Sequence, residues 1–425
     1  MIVDADLRVP GDKSITHRAL ILAGMARGTS RIGGALTSYD ARSTARVLRQ
    51  LGVEVSPLAA GRDIVVRGRV RFRRPADPLH CGNSGTSARL LLGALSAHPF
   101  SATLTGDASL RRRPMRRVTD PLALMGARFT FAGRDGLPIT VRGGPLSGIR
   151  YELPVSSAQL KSALILAGVV GGIPVEVREP GGRSRDHTER MLRAFGYDIE
   201  DDGEWIRFAP TGRIVPVSTE VPGDPSSAAF LVGAALLAEG GVLRLRGVGL
   251  NPTRTGFLRV LARMGAAVAV EGLHEVGGEP VGDLVVRPVE LVATDVAAGE
   301  IPGLIDEIPL LSVLASRADG TTVFREVGEL RVKESDRLAL LASNLRAVGA
   351  RAEAHGNTLT VTGGSRPPVG RVVTAGDHRL AMAFAVLGTV RGARVRVDDP
   401  ASAGVSFPNF HESLRALRGP GKGRK

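Results

Sequence analysis

The chain has 425 residues, 43% hydrophobic and only 4% aromatic, with 56 Lys plus Arg against 42 Asp plus Glu. This length and composition predict a globular protein of two or three domains around an aliphatic core. The single cysteine, Cys81, excludes an intrachain disulfide and is typical of a cytosolic protein.

The formal net charge of +14 fits two classes of partner, nucleic acid and small anionic substrates. The arginines are spread along the whole chain, and few aromatic side chains are available to stack on bases. We therefore favour an enzyme for small anions. Only five of the cationic residues are lysines, namely Lys13, Lys161, Lys333, Lys422 and Lys425.

The first ten residues contain no basic region followed by a long apolar run, so we expect no signal peptide. No apolar stretch approaches the roughly 20 residues that span a bilayer. We therefore expect a cytoplasmic protein with no membrane partner.

Taken in chain order, the predicted elements alternate between two kinds of helix with short β-branched strands between them. Helices of the first kind are apolar on nearly all sides, which predicts that they are buried. Their sequences are R-A-L-I-L-A-G-M-A (18–26), R-L-L-L-G-A-L-S-A (89–97), S-A-L-I-L-A-G-V-V (162–170), A-A-F-L-V-G-A-A-L-L-A (228–238), P-L-L-S-V-L-A (309–315) and L-A-M-A-F-A-V-L-G (380–388).

Helices of the second kind are amphipathic, and each ends in a bulky residue and a glycine. The glycine is predicted to end its helix in the left-handed conformation. These glycines are Gly52, Gly126, Gly196, Gly265, Gly349 and Gly419. The pattern predicts six α/β units, and hence two domains of three units each, with the crossover near 221–227, where Pro and Gly cluster.

Polar segments precede each of the apolar helices. They are G-D-K-S (11–14), G-N-S-G-T-S (82–87), S-S-A-Q (156–159), G-D-P-S-S (223–227), L-I-D-E-I-P (304–309) and G-D-H-R (376–379). A helix N-terminus presents unpaired N–H groups to an anion. Ordinary capping explains any one segment, but the recurrence in all six units favours anion binding.

Charged residues in three segments are candidates for chemistry. In R-V-K-E-S-D-R-L (331–338), a continuous helix would place Lys333 and Arg337 on one face, with Glu334 available for proton transfer. Asp306 and Asp377 are expected to cap helices. Arg379 would lie at a helix N-terminus, against the macrodipole, which suggests a ligand.

Two further segments have simpler interpretations. L-R-R-R-P-M-R-R (110–117) is predicted to be a loop with one useful arginine, Arg113, rather than a nucleic-acid patch. Cys81 is expected to be an inert core residue. No Cys/His cluster has metal-ligand spacing, so we expect no structural zinc.

Ten motifs, in order, together resemble the 5-enolpyruvylshikimate-3-phosphate synthase family. Four of them are similar to its second class, which includes glyphosate-tolerant members: G-D-K-S, S-A-Q-L-K, R-D-H-T-E and N-P-T-R. The ten motifs lie at 10–18, 82–89, 113–115, 157–161, 185–189, 223–228, 251–254, 331–338, 377–382 and 406–410.

The resemblance implies an α/β fold of two domains, each an inside-out α/β barrel of three βαβαββ units. Residues 11–224 would form one domain, residues 1–10 and 225–425 the other, and the active site would lie in the cleft between them. The implied reaction transfers the carboxyvinyl group of phosphoenolpyruvate to the 5-hydroxyl of shikimate 3-phosphate and releases phosphate. It implies no metal or organic cofactor. The sequence shows no dedicated apolar interface, which suggests a monomer.

The resemblance also implies roles for individual residues. Asp306, Glu334 and Lys13 would be catalytic. Shikimate 3-phosphate would be held by Lys13, Ser14, Arg18, Ser157, Gln159, Ser184, Arg185, Asp306 and Lys333. Phosphoenolpyruvate would be held by Lys13, Gly85, Arg113, Gln159, Arg337 and Arg379. Without substrates, whose combined charge is about −5 to −6, we expect the cations of this set to repel one another.

One residue departs from the family pattern, because Val405 stands where many members have a lysine that binds phosphoenolpyruvate. Glyphosate competes with phosphoenolpyruvate in this family, and tolerant members often have alanine at the position of Gly85. Two alternatives remain. One is the sister enzyme that transfers the same group to UDP-N-acetylglucosamine, and the other is a basic repeat protein that binds nucleic acid.

Overall fold

The computed structural model describes residues 1–211, 214–216 and 218–418. The chain divides into two compact units. We call Gly11–Val221 with Val276–Glu279 the N-terminal unit, and Met1–Pro10, Pro222–Glu275 and Pro280–Lys425 the C-terminal unit. Residues 222–224, which the sequence analysis grouped with the first domain, therefore lie in the C-terminal unit.

Short strands and helices alternate along the described residues. The strands are β1 (Ile2–Arg8), β2 (Gly28–Gly33), β3 (Glu54–Val55), β4 (Ile64–Gly68), β5 (Leu79–His80), β6 (Ser101–Thr105), β7 (Arg128–Phe131), β8 (Ile139–Arg142), β9 (Ile149–Glu152), β10 (Val175–Arg178), β11 (Ile199–Asp201), β12 (Trp205–Phe208), β13 (Ser218–Glu220), β14 (Gly240–Gly249), β15 (Ala269–Val276), β16 (Glu279–Val286), β17 (Asp295–Val296), β18 (Thr321–Phe324), β19 (Arg351–His355), β20 (Thr358–Thr362), β21 (Val369–Val372) and β22 (Arg394–Val397).

The α-helices are α1 (Lys13–Met25), α2 (Tyr39–Gln50), α3 (Gly85–Ser96), α4 (Ala108–Arg112), α5 (Arg116–Leu124), α6 (Ala158–Gly171), α7 (His187–Ala194), α8 (Pro225–Leu236), α9 (Gly256–Arg263), α10 (Ile308–Ala315), α11 (Arg337–Ala347), α12 (His378–Leu387) and α13 (Phe410–Ala416). Three short 3-10 helices are found among the described residues, at Ala298–Gly303, Gly328–Val332 and Pro400–Val405. None of the helices in the described part of the chain is long and apolar enough to cross a membrane.

Each unit contains three small sheets built on one plan. The sheets of the N-terminal unit have the strand orders β13-β2-β4-β3, β5-β6-β8-β7 and β9-β10-β12-β11. In each of them the leading strand is parallel to the second, and the remaining pairs are antiparallel. The C-terminal unit has the orders β1-β14-β16-β15, β17-β18-β20-β19 and β21-β22. This confirms the predicted βαβαββ repeat, with a shortened last unit.

Two leading strands pair with partners that lie far away in the sequence. Strand β1 precedes the N-terminal unit but pairs in parallel with β14, with Ile2 opposite Gly240. Strand β13 precedes α8 but pairs in parallel with β2, with Ser218 opposite Arg31. The amide of Asp4 also donates a hydrogen bond of 3.0 Å to the carbonyl of Leu417. The C-terminal unit is therefore completed by a strand from the start of the chain, and the first sheet of the N-terminal unit by a strand from the end of that unit.

The apolar helices lie in the core of each unit, as the sequence predicts. Helices α1, α3 and α6 are buried in the N-terminal unit, and α8, α10 and α12 in the C-terminal unit. The amphipathic helices end in positive-φ glycines at Gly52, Gly126, Gly196, Gly265 and Gly349, with φ between 83° and 115°. The sixth predicted glycine, Gly419, lies outside the described residues.

Candidate functional site

The polar residues that precede the buried helices do cap them. The side chains of Asp12, Ser84, Ser157, Asp224 and Asp377 each accept a hydrogen bond from a backbone N–H in the first turn of their helix. The predicted cap at Asp306 is wrong, because the residue before α10 is Glu307, which makes no side-chain cap bond. The Asp306 carboxylate is therefore available for other contacts.

Lys13 is the first residue of α1, and its ammonium forms an ion pair with Asp40 of α2. The next residue, Ser14, accepts a hydrogen bond of 3.1 Å from Nη1 of Arg185. Three of the predicted ligands of shikimate 3-phosphate thus lie together at the N-terminus of α1. Lys13 and Ser14 lie there because Asp12 caps the first turn of α1 by accepting from the amide of Ile15 at 2.8 Å. Arg185 reaches Ser14 from the segment before α7.

Arg18 lies one turn further along α1 and is buried. Its guanidinium donates to Thr188 Oγ1 at 2.7 Å, to Ser162 Oγ at 2.8 Å and to the carbonyl of Ser14 at 3.0 Å. These bonds tie α1 to α6 and α7. The position of Arg18 therefore supports the arrangement of Ser14 directly.

A second group in the N-terminal unit brings together Gly85, Arg113 and Gln159. Arg89 of α3 donates to Gln159 Oε1 at 2.6 Å, and Arg113 donates to the side-chain oxygen of Asn83. A methyl group on Gly85 would lie 3.0 Å from Arg89 Nη1 and 3.2 Å from Arg113 Nη1. The absence of a side chain at Gly85 is what lets two guanidiniums approach the N-terminus of α3.

The segment around Arg113 is not the predicted loop. It consists of α4 and α5, with Arg113 at the end of α4 and Pro114 in the break. Ser157 caps α6, and Ser184, which precedes Arg185, donates its hydroxyl to Glu179. The predicted ligands of the N-terminal unit thus fall into two groups, one around α1 and one around α3.

In the C-terminal unit, Arg337 is the centre of a cluster of carboxylates. Its side chain is 0% exposed. Its Nε donates to Asp377 Oδ2 at 2.7 Å, its Nη2 donates to Glu334, and its Nη1 lies 3.5 Å from Asp306 Oδ1. Burial alone would lower the pKa of Arg337, but Asp377, Glu334 and Asp306 more than offset it and raise that pKa. One buried cation therefore positions both predicted acid–base residues.

Arg379, which lies on α12, also contacts Asp306. Its Nη2 lies 3.3 Å from Asp306 Oδ2, and its Nη1 donates to the Asp306 carbonyl at 3.1 Å. Lys333 is not on one helix with Arg337, because the 3-10 helix ends at Val332 and α11 begins only at Arg337. The predicted continuous helix is wrong, since Asp336 caps a new helix by accepting from the Ala339 amide at 3.0 Å.

Lys333 lies in the break before α11, with its side chain 27% exposed and its ammonium 3.8 Å from Glu329. Burial lowers the pKa of Lys333 below its usual value, against the opposing effect of Asp306 and Glu329. A partly exposed ammonium with a lowered pKa is suited to bind an added anion, because the anion would compensate its lost hydration.

Carboxylates form ion pairs with several of these cations and offset the expected repulsion between them. Lys13 pairs with Asp40, Arg379 with Asp306, and Arg337 with three acids. At about 4 Å a cation and an anion attract by about 4 kcal/mol at an effective dielectric constant of 20, so such pairs offset the repulsion.

His17 gives the α1 region a dependence of stability on pH. Its imidazole is fully buried, with Nδ1 2.7 Å from Thr44 Oγ1 and no hydrogen-bond partner for Nε2 among the described residues. Burial, with the charges of Lys13 and Arg18, lowers the pKa of His17 well below its usual value. Below pH ~6.5 only the unfolded chain takes up this proton, so the folded state loses stability as the pH falls.

We expect His17→Asn to remove this effect while keeping a polar group near Thr44. The stability of the wild type relative to the variant should fall by about 1.4 kcal/mol for each pH unit below about 6.5. Urea titrations of both proteins between pH 5 and 7.5 measure the difference, in which the contributions of other histidines cancel. A difference independent of pH would contradict the assignment.

Comparison with known proteins identifies the family. The sequence matches the family described as EPSP synthase (3-phosphoshikimate 1-carboxyvinyltransferase) over residues 2–414. Proteins named 3-phosphoshikimate 1-carboxyvinyltransferase from Alkalilimnicola ehrlichii and Thermus thermophilus are 46% and 49% identical to the chain. These alignments cover 98% and 97% of this chain and 95% and 96% of those proteins. The chain belongs to the EPSP synthase family.

The fold of the family is found here along nearly the whole chain. A solved structure of EPSP synthase from Acinetobacter baumannii is similar with a TM-score of 0.86 at 38% identity, covering 98% of this chain and 96% of that one. The predicted α/β fold, two domains of repeated βαβαββ units, is confirmed.

The sequence analysis did not identify several residues that contact the predicted substrate-binding residues of this EPSP synthase family member. Arg89 and Asn83 lie inside G-N-S-G-T-S-A-R, so their motif could have identified them. Asp40 and Glu179 lie in no motif and reach Lys13 and Ser184 only through the fold. Val405 ends the 3-10 helix Pro400–Val405. Among the residues that the structure describes, no group of three or more His, Cys, Asp or Glu could hold a metal ion.

Proposed function

We propose that this chain transfers the carboxyvinyl group of phosphoenolpyruvate to the 5-hydroxyl of shikimate 3-phosphate, with release of phosphate. The observation that carries this proposal is the match to the EPSP synthase family over residues 2–414, with relatives of that name 46% and 49% identical along nearly their whole length. Both substrates are small anions, each with a phosphate and a carboxylate, which fits the arginines and lysines collected at the helix N-termini.

The residues of the N-terminal unit are assigned to the two substrates by group. Lys13, Ser14 and Arg185 meet at the start of α1, which supports a site for shikimate 3-phosphate together with Arg18, Ser157, Gln159 and Ser184. Gly85 and Arg113 meet beside Gln159, which supports a site for phosphoenolpyruvate. The N–H groups at the start of both helices add to the attraction for anions.

The chemistry is assigned to the C-terminal unit, where Lys333 also contributes to shikimate 3-phosphate and Arg337 and Arg379 to phosphoenolpyruvate. Asp306 takes the proton of the 5-hydroxyl group while the oxygen of that hydroxyl bonds to C2 of phosphoenolpyruvate. Glu334 delivers a proton to the methylene carbon C3. The tetrahedral adduct then loses a proton from C3 and phosphate from C2. General acid–base groups of this kind must be held at defined positions, and Arg337 contacts both carboxylates.

The substrate anions must compete with these carboxylates for the same guanidiniums. Arg337 and Arg379 are bound to Asp306 and Glu334 in the structure without ligands. Arrival of an anion at either arginine weakens its hold on a carboxylate and makes that carboxylate a better base. Binding and activation are coupled in this proposal.

A phosphate-release assay tests the proposed function. We expect release only when shikimate 3-phosphate and phosphoenolpyruvate are both present, and none when either is omitted. Replacing shikimate 3-phosphate by UDP-N-acetylglucosamine tests the sister activity. Release with the sugar nucleotide alone as acceptor would contradict the proposal, and so would release without any acceptor.

Gly85→Ala is expected to weaken inhibition by glyphosate more than it weakens binding of phosphoenolpyruvate. The added methyl group, 3.0 Å from Arg89 Nη1 and 3.2 Å from Arg113 Nη1, displaces both guanidiniums by a few tenths of an ångström. The longer inhibitor tolerates this less well. We expect its inhibition constant to rise about ten- to hundredfold, the usual effect of one misfitting group, and the KM for phosphoenolpyruvate to rise less.

Gly133→Ala is the matched control for this prediction. A methyl group on Gly133 meets no heavy atom of the described residues within 4 Å, so both constants should stay at their wild-type values. An unchanged inhibition constant in Gly85→Ala, or an equal rise in both constants, would show that the methyl group does not discriminate between inhibitor and substrate.

A further inference from the structure

Lys161 is a lysine within the S-A-Q-L-K motif whose side chain is completely buried, with 0% exposure. It lies in the first turn of α6, one turn beyond the helix cap Ser157. Burying an ammonium without partners is very unfavourable, so its surroundings must compensate the charge. The proposed reaction has no use for an ammonium that a substrate cannot reach, and the residue needs another explanation.

The ammonium is held by two acids from two other elements. Its Nζ lies 2.9 Å from Glu179 Oε2, just after β10, and 2.8 Å from Glu189 Oε1 of α7. It also donates to the carbonyl of Ser184 at 3.4 Å. Burial alone would lower the pKa of Lys161, but Glu189 and Glu179 raise it, so the side chain stays charged.

Glu179 passes this constraint to the loop between β10 and α7. Its Oε2 accepts from the Ser184 amide at 3.1 Å, and its Oε1 accepts from the Ser184 hydroxyl. Both the amide and the carbonyl of Ser184 are therefore bound by the pair Lys161–Glu179. The next residue, Arg185, donates to Ser14 at the start of α1.

The same elements also support Arg18. Its guanidinium donates to Ser162 at 2.8 Å and to Thr188 at 2.7 Å, the residues directly after Lys161 and before Glu189. The Lys161–Glu189 ion pair joins α6 to α7 at this point. Arg18 and Arg185, two proposed ligands of shikimate 3-phosphate, thus contact or lie on the segments that this ammonium joins.

The geometry explains why this position is a lysine in a chain that otherwise uses arginine. A single ammonium nitrogen, which has three N–H groups, contacts three oxygens here, from Glu179, Glu189 and the Ser184 carbonyl. A guanidinium is planar and bulkier and presents a flat fork, which cannot serve these acceptors without enlarging a fully buried site. Overpacking of a core is destabilising.

We infer that Lys161, with Glu179 and Glu189, is a positioning residue that holds Ser184 and Arg185 for the phosphate of shikimate 3-phosphate without contacting the substrate. This inference rests on the proposed function. It assigns the buried ion-pair cluster to the affinity for one of the two substrates rather than to the chemical steps.

The test compares Lys161→Met with Leu164→Ala, a matched control on the same helix that also alters a fully buried side chain. In Lys161→Met we expect the KM for shikimate 3-phosphate to rise about tenfold or more, the effect of losing roughly one charge-assisted hydrogen bond. The KM for phosphoenolpyruvate should change less than about threefold, and kcat should change little. Leu164→Ala should lower the melting temperature without changing either KM.

A second variant separates stability from positioning. Lys161→Met/Glu189→Leu removes one cation and one anion together, so it should melt at a higher temperature than Lys161→Met. Its KM for shikimate 3-phosphate should nevertheless stay high, because Glu179 and the Ser184 carbonyl still lack the ammonium. Recovery of the KM together with the melting temperature would overturn the inference, as would a rise in the KM of Leu164→Ala equal to that of Lys161→Met.

Amide hydrogen exchange gives a readout that does not depend on activity. The Ser184 amide, bound to Glu179 in the structure, should exchange about tenfold faster or more in Lys161→Met and in the double variant, but not in Leu164→Ala. If neither variant folds, Glu179→Gln replaces them, and unchanged Ser184 exchange there overturns the inference. If the wild-type protein releases no phosphate, the proposed function is refuted. The exchange rates would then still test whether Lys161 holds Ser184 in place.

Discussion

Glu334→Gln is expected to lower kcat about 10²- to 10⁴-fold, the range for removal of a general acid–base group. The glutamine carbonyl oxygen can still accept a hydrogen bond from Arg337, which holds Glu334 in the structure. The geometry of the cluster is thereby kept, and only the proton is lost. The KM values should change little, because no proposed binding group is removed.

Two measurements locate the loss in Glu334→Gln. Steady-state kinetics gives kcat, and exchange of solvent deuterium into the methylene group of the product reports proton transfer at C3. The matched control is Glu329→Gln, the same chemical change at the acid 3.8 Å from Lys333 and outside the Arg337 cluster. Normal deuterium exchange in Glu334→Gln would assign the C3 proton to another group.

Lys13→Arg is expected to reduce turnover about a hundredfold or more, the lower range for groups that act in proton transfer. The positive charge and a partner for Asp40 are kept. The guanidinium is larger than the ammonium and does not release a proton at neutral pH. At the start of α1, where Lys13 lies beside Ser14, the larger side chain would also displace the shikimate 3-phosphate that is proposed to bind there.

The same substitution at other lysines serves as the control. Lys333→Arg, in the break before α11, should mainly raise the KM for shikimate 3-phosphate. Lys422→Arg changes a residue outside the described part of the chain, and we expect it to be silent. Near-normal turnover in Lys13→Arg would mean that only the charge matters at this position.

Local patterns predicted the parts of the fold that local forces determine. The buried helices follow from their uninterrupted apolar sequences, and the glycine ends at positions such as Gly52 and Gly349 follow from a conformation that side chains disfavour. The helix proposed through Lys333 and Arg337 failed because Asp336 caps a new helix there. The Ser-Asp pair at 335–336 is a helix-start signal in the sequence, and it marks this break.

The contacts that organise the site could not be predicted from local sequence. Arg337 and Asp377 are 40 residues apart, and Lys13 and Asp40 lie on different helices. In both pairs the two residues are too far apart in the sequence for a helix or strand period to predict that they are in contact. The sequence analysis named Asp306, Glu334 and Asp377 but did not predict that they pair with the cations, and it did not identify Asp40.

The pairing of β1 with the distant strand β14 has a consequence for synthesis on the ribosome. The sheets of the N-terminal unit are complete once β13, which ends at Glu220, has emerged. Strand β1 emerges before the N-terminal unit, yet its partner β14 begins only at Gly240. At about 5–20 residues per second, β1 waits on the order of tens of seconds as an unpaired strand. Nascent chains of this protein therefore carry β1 as an unpaired strand while the N-terminal unit folds, and an unpaired strand can pair with other chains.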